Sequence, residues 1–229
     1  MDGTLVPFEQ DEFIELYFKK LCEKLVPLGY APDDVVKGVW NGTKAMLRND
    51  GTVTNRDRFW DGFAAALGEN VRQTESMLDV FYGEDFHAVK AVVRGESCAR
   101  ELIDTLKAKG YTVVLATNPL FPDVAQYARL SWVGLTPDDF VHVTHYQNSR
   151  FCKPNLHYYE EILDLIGKTP DECLMVGNSV SDDMVARRLG MAVYLVNEFT
   201  ENPENEDFSA FEQGSLADFL RRAEAMPSL

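Results

Sequence analysis

Cysteine and histidine are scarce in this chain of 229 residues, with four of each. Cys22, Cys98, Cys152 and Cys173 stand far apart, without the close pairs of a zinc site or the density of a disulfide framework. That pattern fits a reducing compartment. Positive charge is also short: 22 Lys and Arg face 37 Asp and Glu, a formal net charge of −15. Such a surface repels nucleic-acid phosphates and anionic lipids, so no nucleic acid and no membrane is expected as a partner. No apolar run approaches the roughly 20 residues of a membrane span, and no signal-peptide pattern is present. A cytoplasmic protein is therefore expected. Repeats and low-complexity tracts are absent. One omission is local. The chain opens MDGTLVPFEQ, with no hydrophobic strand before its Asp2-Gly3-Thr4 turn.

What is there is an ordinary globular composition, 45% apolar and 26% charged, enough for a sizeable core. Residues 10–95 carry helical periodicity. Ile14, Phe18, Leu21 and Leu25 share one face, and Gly29 can end that helix. Val36, Val39, Trp40, Met46 and Leu47 mark a second helix. Phe59, Trp60, Phe63 and Leu67 mark a third, with Thr54 as its N-cap. Met77, Leu78, Phe81 and Tyr82 mark a fourth. These aromatics read as helix–helix core. From about residue 97 the rhythm changes. Strands are expected at 111–116, 140–144, 173–177 and 191–196. Helices are expected at 98–109, 122–132, 155–166, 182–189 and 215–225, with an irregular stretch over 197–214. Strand alternating with helix implies an α/β fold, a parallel sheet with helices on both faces.

Ligands of an open parallel sheet bind beyond the carboxyl ends of its strands. There the sequence places Thr117-Asn118 after one strand, Lys153 before a helix, and Asn178 followed by Asp182 and Asp183 after another strand. Asp2 stands at the front. Each motif has a plain structural explanation: a turn, a strand end, punctuation before a helix, a cap. The four together, in this order, fit a phosphate and a divalent cation. Carboxylates hold Mg²⁺, a hard ion that prefers oxygen. The metal and the Lys153 ammonium offset phosphoryl charge, and a hydroxyl with nearby N–H groups binds the remaining oxygens.

These residues resemble the haloacid dehalogenase superfamily, in its phosphatase-like branch. Asp2-Gly3-Thr4-Leu5 looks like the tail of the first motif, Asp-x-Asp-Gly-Thr. Leu115–Asn118 is similar to the second, Lys153-Pro154 to the third, and the acids after Val176-Gly177-Asn178 to the fourth. The resemblance covers the whole chain. It implies a Rossmann-like core over residues 1–9 and 96–229 and an inserted α-helical cap over 10–95. It also implies Mg²⁺ and a phospho-aspartyl intermediate formed on a small phosphorylated metabolite. Asp2 matches the second aspartate, the general acid/base whose carbonyl coordinates the metal. Thr117 and the Asn118 N–H would bind phosphate, and Lys153 would pair with both phosphate and nucleophile. Asn178, Asp182 and Asp183 are the remaining metal candidates, either of the last two supplying the anionic ligand.

Two departures stand out. The family's nucleophile falls one residue before Met1, and its central strand before that. The natural chain is therefore expected to extend N-terminal to Met1, because losing a central strand leaves two unpaired edges. And Gly177 is followed by Asn178 where many members have Asp, which predicts weaker Mg²⁺ binding. Asp2 favours phosphatase or phosphomutase over dehalogenase, which lacks an acid there. A phosphate- or metal-binding module without chemistry is the third reading. Lys44, Arg48, Arg56 and Arg58 are candidates for substrate choice, or simply solvated charge.

Overall fold

The computed structural model describes residues 1–229. Its first part is helical. Helix α1 (Gln10–Leu25) is followed by α2 (Pro32–Leu47), α3 (Asn55–Leu67) and α4 (Glu75–Gly83), and then by a 3₁₀ segment over Asp85–Val92. Thr54 caps α3, its hydroxyl accepting from the Asp57 N–H, as its residue type predicts. On α1 the buried residues are Phe13, Tyr17, Leu21 and Leu25. The stripe is thus rotated from the expected one. Ile14 and Phe18 lie only partly buried at its flank. The rotation lets Phe13 and Tyr17 stack on each other and meet Phe86 edge-on. On α2, Trp40 and Leu47 are exposed where core was expected, at 48% and 50%.

The second part alternates as predicted: α5 (Ala99–Ala108), β1 (Val114–Leu115), α6 (Asp123–Trp132), β2 (His142–Val143), α7 (Leu156–Ile166), β3 (Leu174–Gly177), β4 (Ala192–Val196), β5 (Gln213–Gly214) and α8 (Leu216–Ala225). Two elements differ from expectation. The segment 182–189 is no α-helix; a 3₁₀ helix runs over Met184–Leu189. Asp183 bonds back to the Ser179 N–H and holds the preceding residues in a turn, and Gly190 in the left-handed region ends the segment. Inside the stretch read as irregular, β5 pairs parallel to β4.

Every strand pair is parallel. The strands form two hydrogen-bonded sheets, β1-β2 and β3-β4-β5, so β1 and β3 each pair on one side only. Both sheets nevertheless divide their side chains between the same two apolar layers. Val113, Leu115, Leu174, Val176, Tyr194 and Val196 pack with α5 and α8. Val114, Ala116, Met175 and Val193 pack with α7 and the 3₁₀ helix. Successive strand residues point to opposite faces, so shared layers align the two sheets as one interrupted sheet between helices. The fold is a Rossmann-like parallel α/β core with an inserted helical cap. No helix is long and apolar enough to cross a membrane.

Candidate active site

The site is assembled at the carboxyl ends of β1 and β3. The Thr117 carbonyl is fixed by the Tyr158 hydroxyl at 2.8 Å and the Thr144 hydroxyl at 2.6 Å, all three residues being buried. Asn118 then joins three segments. Its Oδ1 accepts from the Lys153 N–H at 3.2 Å, and its Nδ2 donates to Asp182 Oδ2 at 3.2 Å. One side chain therefore bridges the motifs that follow β1, precede α7 and follow β3.

Lys153 and Asp183 form the innermost pair, with Nζ 2.6 Å from Oδ1 and both side chains nearly dry. The other oxygen of Asp183 accepts from the Ser179 N–H at 3.0 Å. Gly177 is required beneath it. A Cβ there would fall 2.1 Å from Asp183 Oδ2.

The opening turn reaches the same place. The Met1 carbonyl accepts from the N–H groups of Thr4, Leu5 and Val6. Gly3 sits at φ +64° with its Cα over Asn178, where a Cβ would lie 2.3 Å from Nδ2. The Thr4 hydroxyl donates to Asn178 Oδ1 at 2.9 Å, and Asn178 Nδ2 donates to the Phe199 carbonyl at 2.7 Å. Both ends of that amide are thus engaged within the protein. Asp2 accepts from Arg129 Nη1 at 2.5 Å through Oδ2, while its Oδ1 is buried with no partner. All seven residues picked from sequence, Asp2, Thr117, Asn118, Lys153, Asn178, Asp182 and Asp183, therefore converge.

Two participants escaped the sequence reading. Arg129 on α6 is 1% exposed, bonded also to Gln126, and stacked 4.4 Å over the Phe121 ring. A charged residue among Ala125, Ala128, Leu130 and Trp132, all buried, was the available signal. Glu201 bridges to Ser179 through the backbone. Nothing in its polar stretch marked it.

The electrostatics are those of excess negative charge. Burial, then Asp183, Asp182 and Asp2, push the Glu201 carboxyl up to about 7. Burial and then Asp183 raise Asp182 as well, against Lys153 and the Asn118 bond. The Met1 backbone nitrogen is buried, with Asp2, Lys153, Asp183 and Arg129 as its charged neighbours. No three His, Cys, Asp or Glu side chains are gathered as a ready metal cage. Mg²⁺ does not need one: it keeps several waters and binds through one or two carboxylates. An all-oxygen donor set in a site short of positive charge fits it.

A family model described as haloacid dehalogenase-like hydrolase matches residues 1–190. The chain belongs to that family. It is 33% identical over 119 residues to a glyceraldehyde 3-phosphate phosphatase of Methanothermobacter thermautotrophicus, a match spanning 51% of each chain. It is 28% identical over 209 residues to a phosphoglycolate phosphatase of Caulobacter vibrioides, covering 89% of this chain and 79% of that one. The crystal structure of a HAD phosphatase from Thermococcus onnurineus superposes over 100% of this chain and 97% of that one, with a TM-score of 0.62 and 20% identity.

Proposed function

We propose that this chain carries the site of a Mg²⁺-dependent phosphatase acting on phosphate monoesters of a small metabolite, with a nucleophilic aspartate expected just before Met1. The observation that carries the reading is Asn118, which ties the Lys153 segment to Asp182 beside Thr117. Relatives named as glyceraldehyde 3-phosphate and phosphoglycolate phosphatases support the same class. Residues 10–95 would act as the cap and the remainder as the core. Four free thiols suit a reducing, cytoplasmic setting.

In this reading Thr117 and the Asn118 N–H hold the phosphoryl oxygens, and the Lys153 ammonium neutralises them. Asp2, Asn178, Asp182 and Asp183 would hold Mg²⁺, which supplies positive charge to the phosphoryl group when bound. Asp2 is turned by Arg129 so that Oδ1 is free, and that oxygen would pass a proton to the leaving group and later take one from water. An aspartate joined to the Met1 amino group would stand among Lys153, Asp183 and Arg129 and attack phosphorus, dividing one hard step into two.

The test is phosphate release from p-nitrophenyl phosphate by the chain with Asp or Asn joined to Met1. Mg²⁺-dependent turnover is expected with Asp, falling by about 10³-fold or more with Asn. Equal turnover in the two, or indifference to Mg²⁺, would overturn the reading.

A further inference from the structure

Beside the phosphate site lies a cavity of about 130 Å³ between the four cap helices and the loop after β1. Its aromatics were expected only to pack helix against helix. Each helix contributes a ring to the wall: Tyr17, Trp40, Phe59 and Tyr82, with Phe121 from the loop. The volume is close to the ~150 Å³ of an apolar cavity known to hold one benzene molecule. Trp40, at 48% exposure, stands where the cavity meets solvent.

The wall's charge is as telling as its rings. Its only carboxyl groups are those of Glu75 and Asp79, and it contains no Lys or Arg. Glu75 is occupied by Arg56, at 2.6 and 2.7 Å. Asp79 has no such partner, and burial followed by Glu75 raises its carboxyl. A carboxylate-bearing ligand would meet repulsion here. A cationic one would find the Phe121 face already covered by the Arg129 guanidinium. Lys44, Arg48, Arg56 and Arg58, the cations considered for substrate choice, lie outside this wall.

The cavity adjoins the proposed phosphate site through one loop: the site's own residues are not in its wall, but Leu120 and Phe121, which follow Asn118, are. The Leu120 N–H bonds the Asn118 carbonyl at 2.8 Å, and Phe121 follows directly. Arg129 lies on Phe121 with one end and on Asp2 with the other. We propose that the cavity is the leaving-group site, and that it takes an uncharged aromatic ring, so that the substrate is a ring-bearing phosphate monoester lacking a carboxylate. This rests on the phosphatase reading for the phosphate half of the ligand.

Calorimetric titration with Mg²⁺ and three non-hydrolysable phosphonates tests it: benzylphosphonate, 3-phosphonopropionate and 2-aminoethylphosphonate. Benzyl alcohol is the probe for the ring site alone. Benzylphosphonate should bind at least tenfold more tightly than the other two and perturb tryptophan fluorescence. Trp40→Ala should weaken it about tenfold with thermal stability retained, since Trp40 is half exposed. Thr43→Phe, which fills the cavity, should erase the preference. Binding of 3-phosphonopropionate or 2-aminoethylphosphonate as tight as benzylphosphonate, or no binding of benzyl alcohol, would overturn the ring site and leave the phosphatase reading standing. Trp40-dependent binding of benzyl alcohol with no phosphonate bound would keep the ring site and overturn the phosphate reading.

Discussion

Lys153 and Asp183 share a 2.6 Å contact that water hardly reaches. Removing one member of such a pair leaves a buried charge uncompensated, at a cost of about 3–5 kcal/mol. Lys153→Met should therefore lower the unfolding free energy by that amount in urea titration. Lys153→Met with Asp183→Leu should recover most of it; additive losses would contradict the pairing. Glu201 gives a pH-dependent prediction. Its folded carboxyl titrates at about 7, above an ordinary glutamate at ~4.3. The folded state thus binds the proton more tightly. Stability from this group is full below the ordinary value and is lost as pH rises through about 7. Without Mg²⁺, Glu201→Gln should nearly match the parent at pH 4 and exceed it at pH 8 by ~1–2 kcal/mol. An unchanged difference between the two pH values would contradict this. Thr117, Lys153 and Asp182 were legible in the sequence because each sits beside punctuation at a strand end or helix start. Arg129 was not. Its meaning comes from Asp2, 127 positions away, and no local pattern encodes that contact.

Elements were legible in kind and order more than in extent. The runs at 111–116 and 140–144 were recognisable from their β-branched residues, yet only Val114–Leu115 and His142–Val143 form ladder. Ladder length depends on the neighbouring strand, which the local sequence does not contain. Gln213–Gly214 carries no β-branched residue and was missed for that reason. Caps are local chemistry, and Thr54 was legible for that reason. Ser215 and Asp218 exchange hydrogen bonds, with the Asp218 N–H 3.0 Å from the serine hydroxyl and the Ser215 N–H 2.9 Å from the carboxylate. Ser215→Ala should destabilise by about 1 kcal/mol, read from the urea midpoint. No change would mean that α8 is held by its apolar face alone, through Leu216, Phe219, Leu220 and Ala223.

Across the whole molecule, two sheets that share no hydrogen bond are aligned by common apolar layers, and their carboxyl ends carry the site. The helical cap is joined to the core through the aromatic cluster around Phe13 and Trp132, which also surrounds the Arg129–Asp2 pair. Four chain segments thereby contribute acids, an ammonium and a hydroxyl to one place with more negative than positive charge. On this account the missing positive charge is a metal ion, and the missing anion is phosphate. Their binding should then be coupled, each raising the other's affinity by the same factor. Calorimetric titration of Mg²⁺ with and without inorganic phosphate measures that coupling directly. The account predicts one Mg²⁺ per chain, at least tenfold tighter binding in the presence of phosphate, and loss of the coupling in Asp182→Asn. Mg²⁺ and phosphate that bind independently, or with coupling untouched by Asp182→Asn, would contradict it.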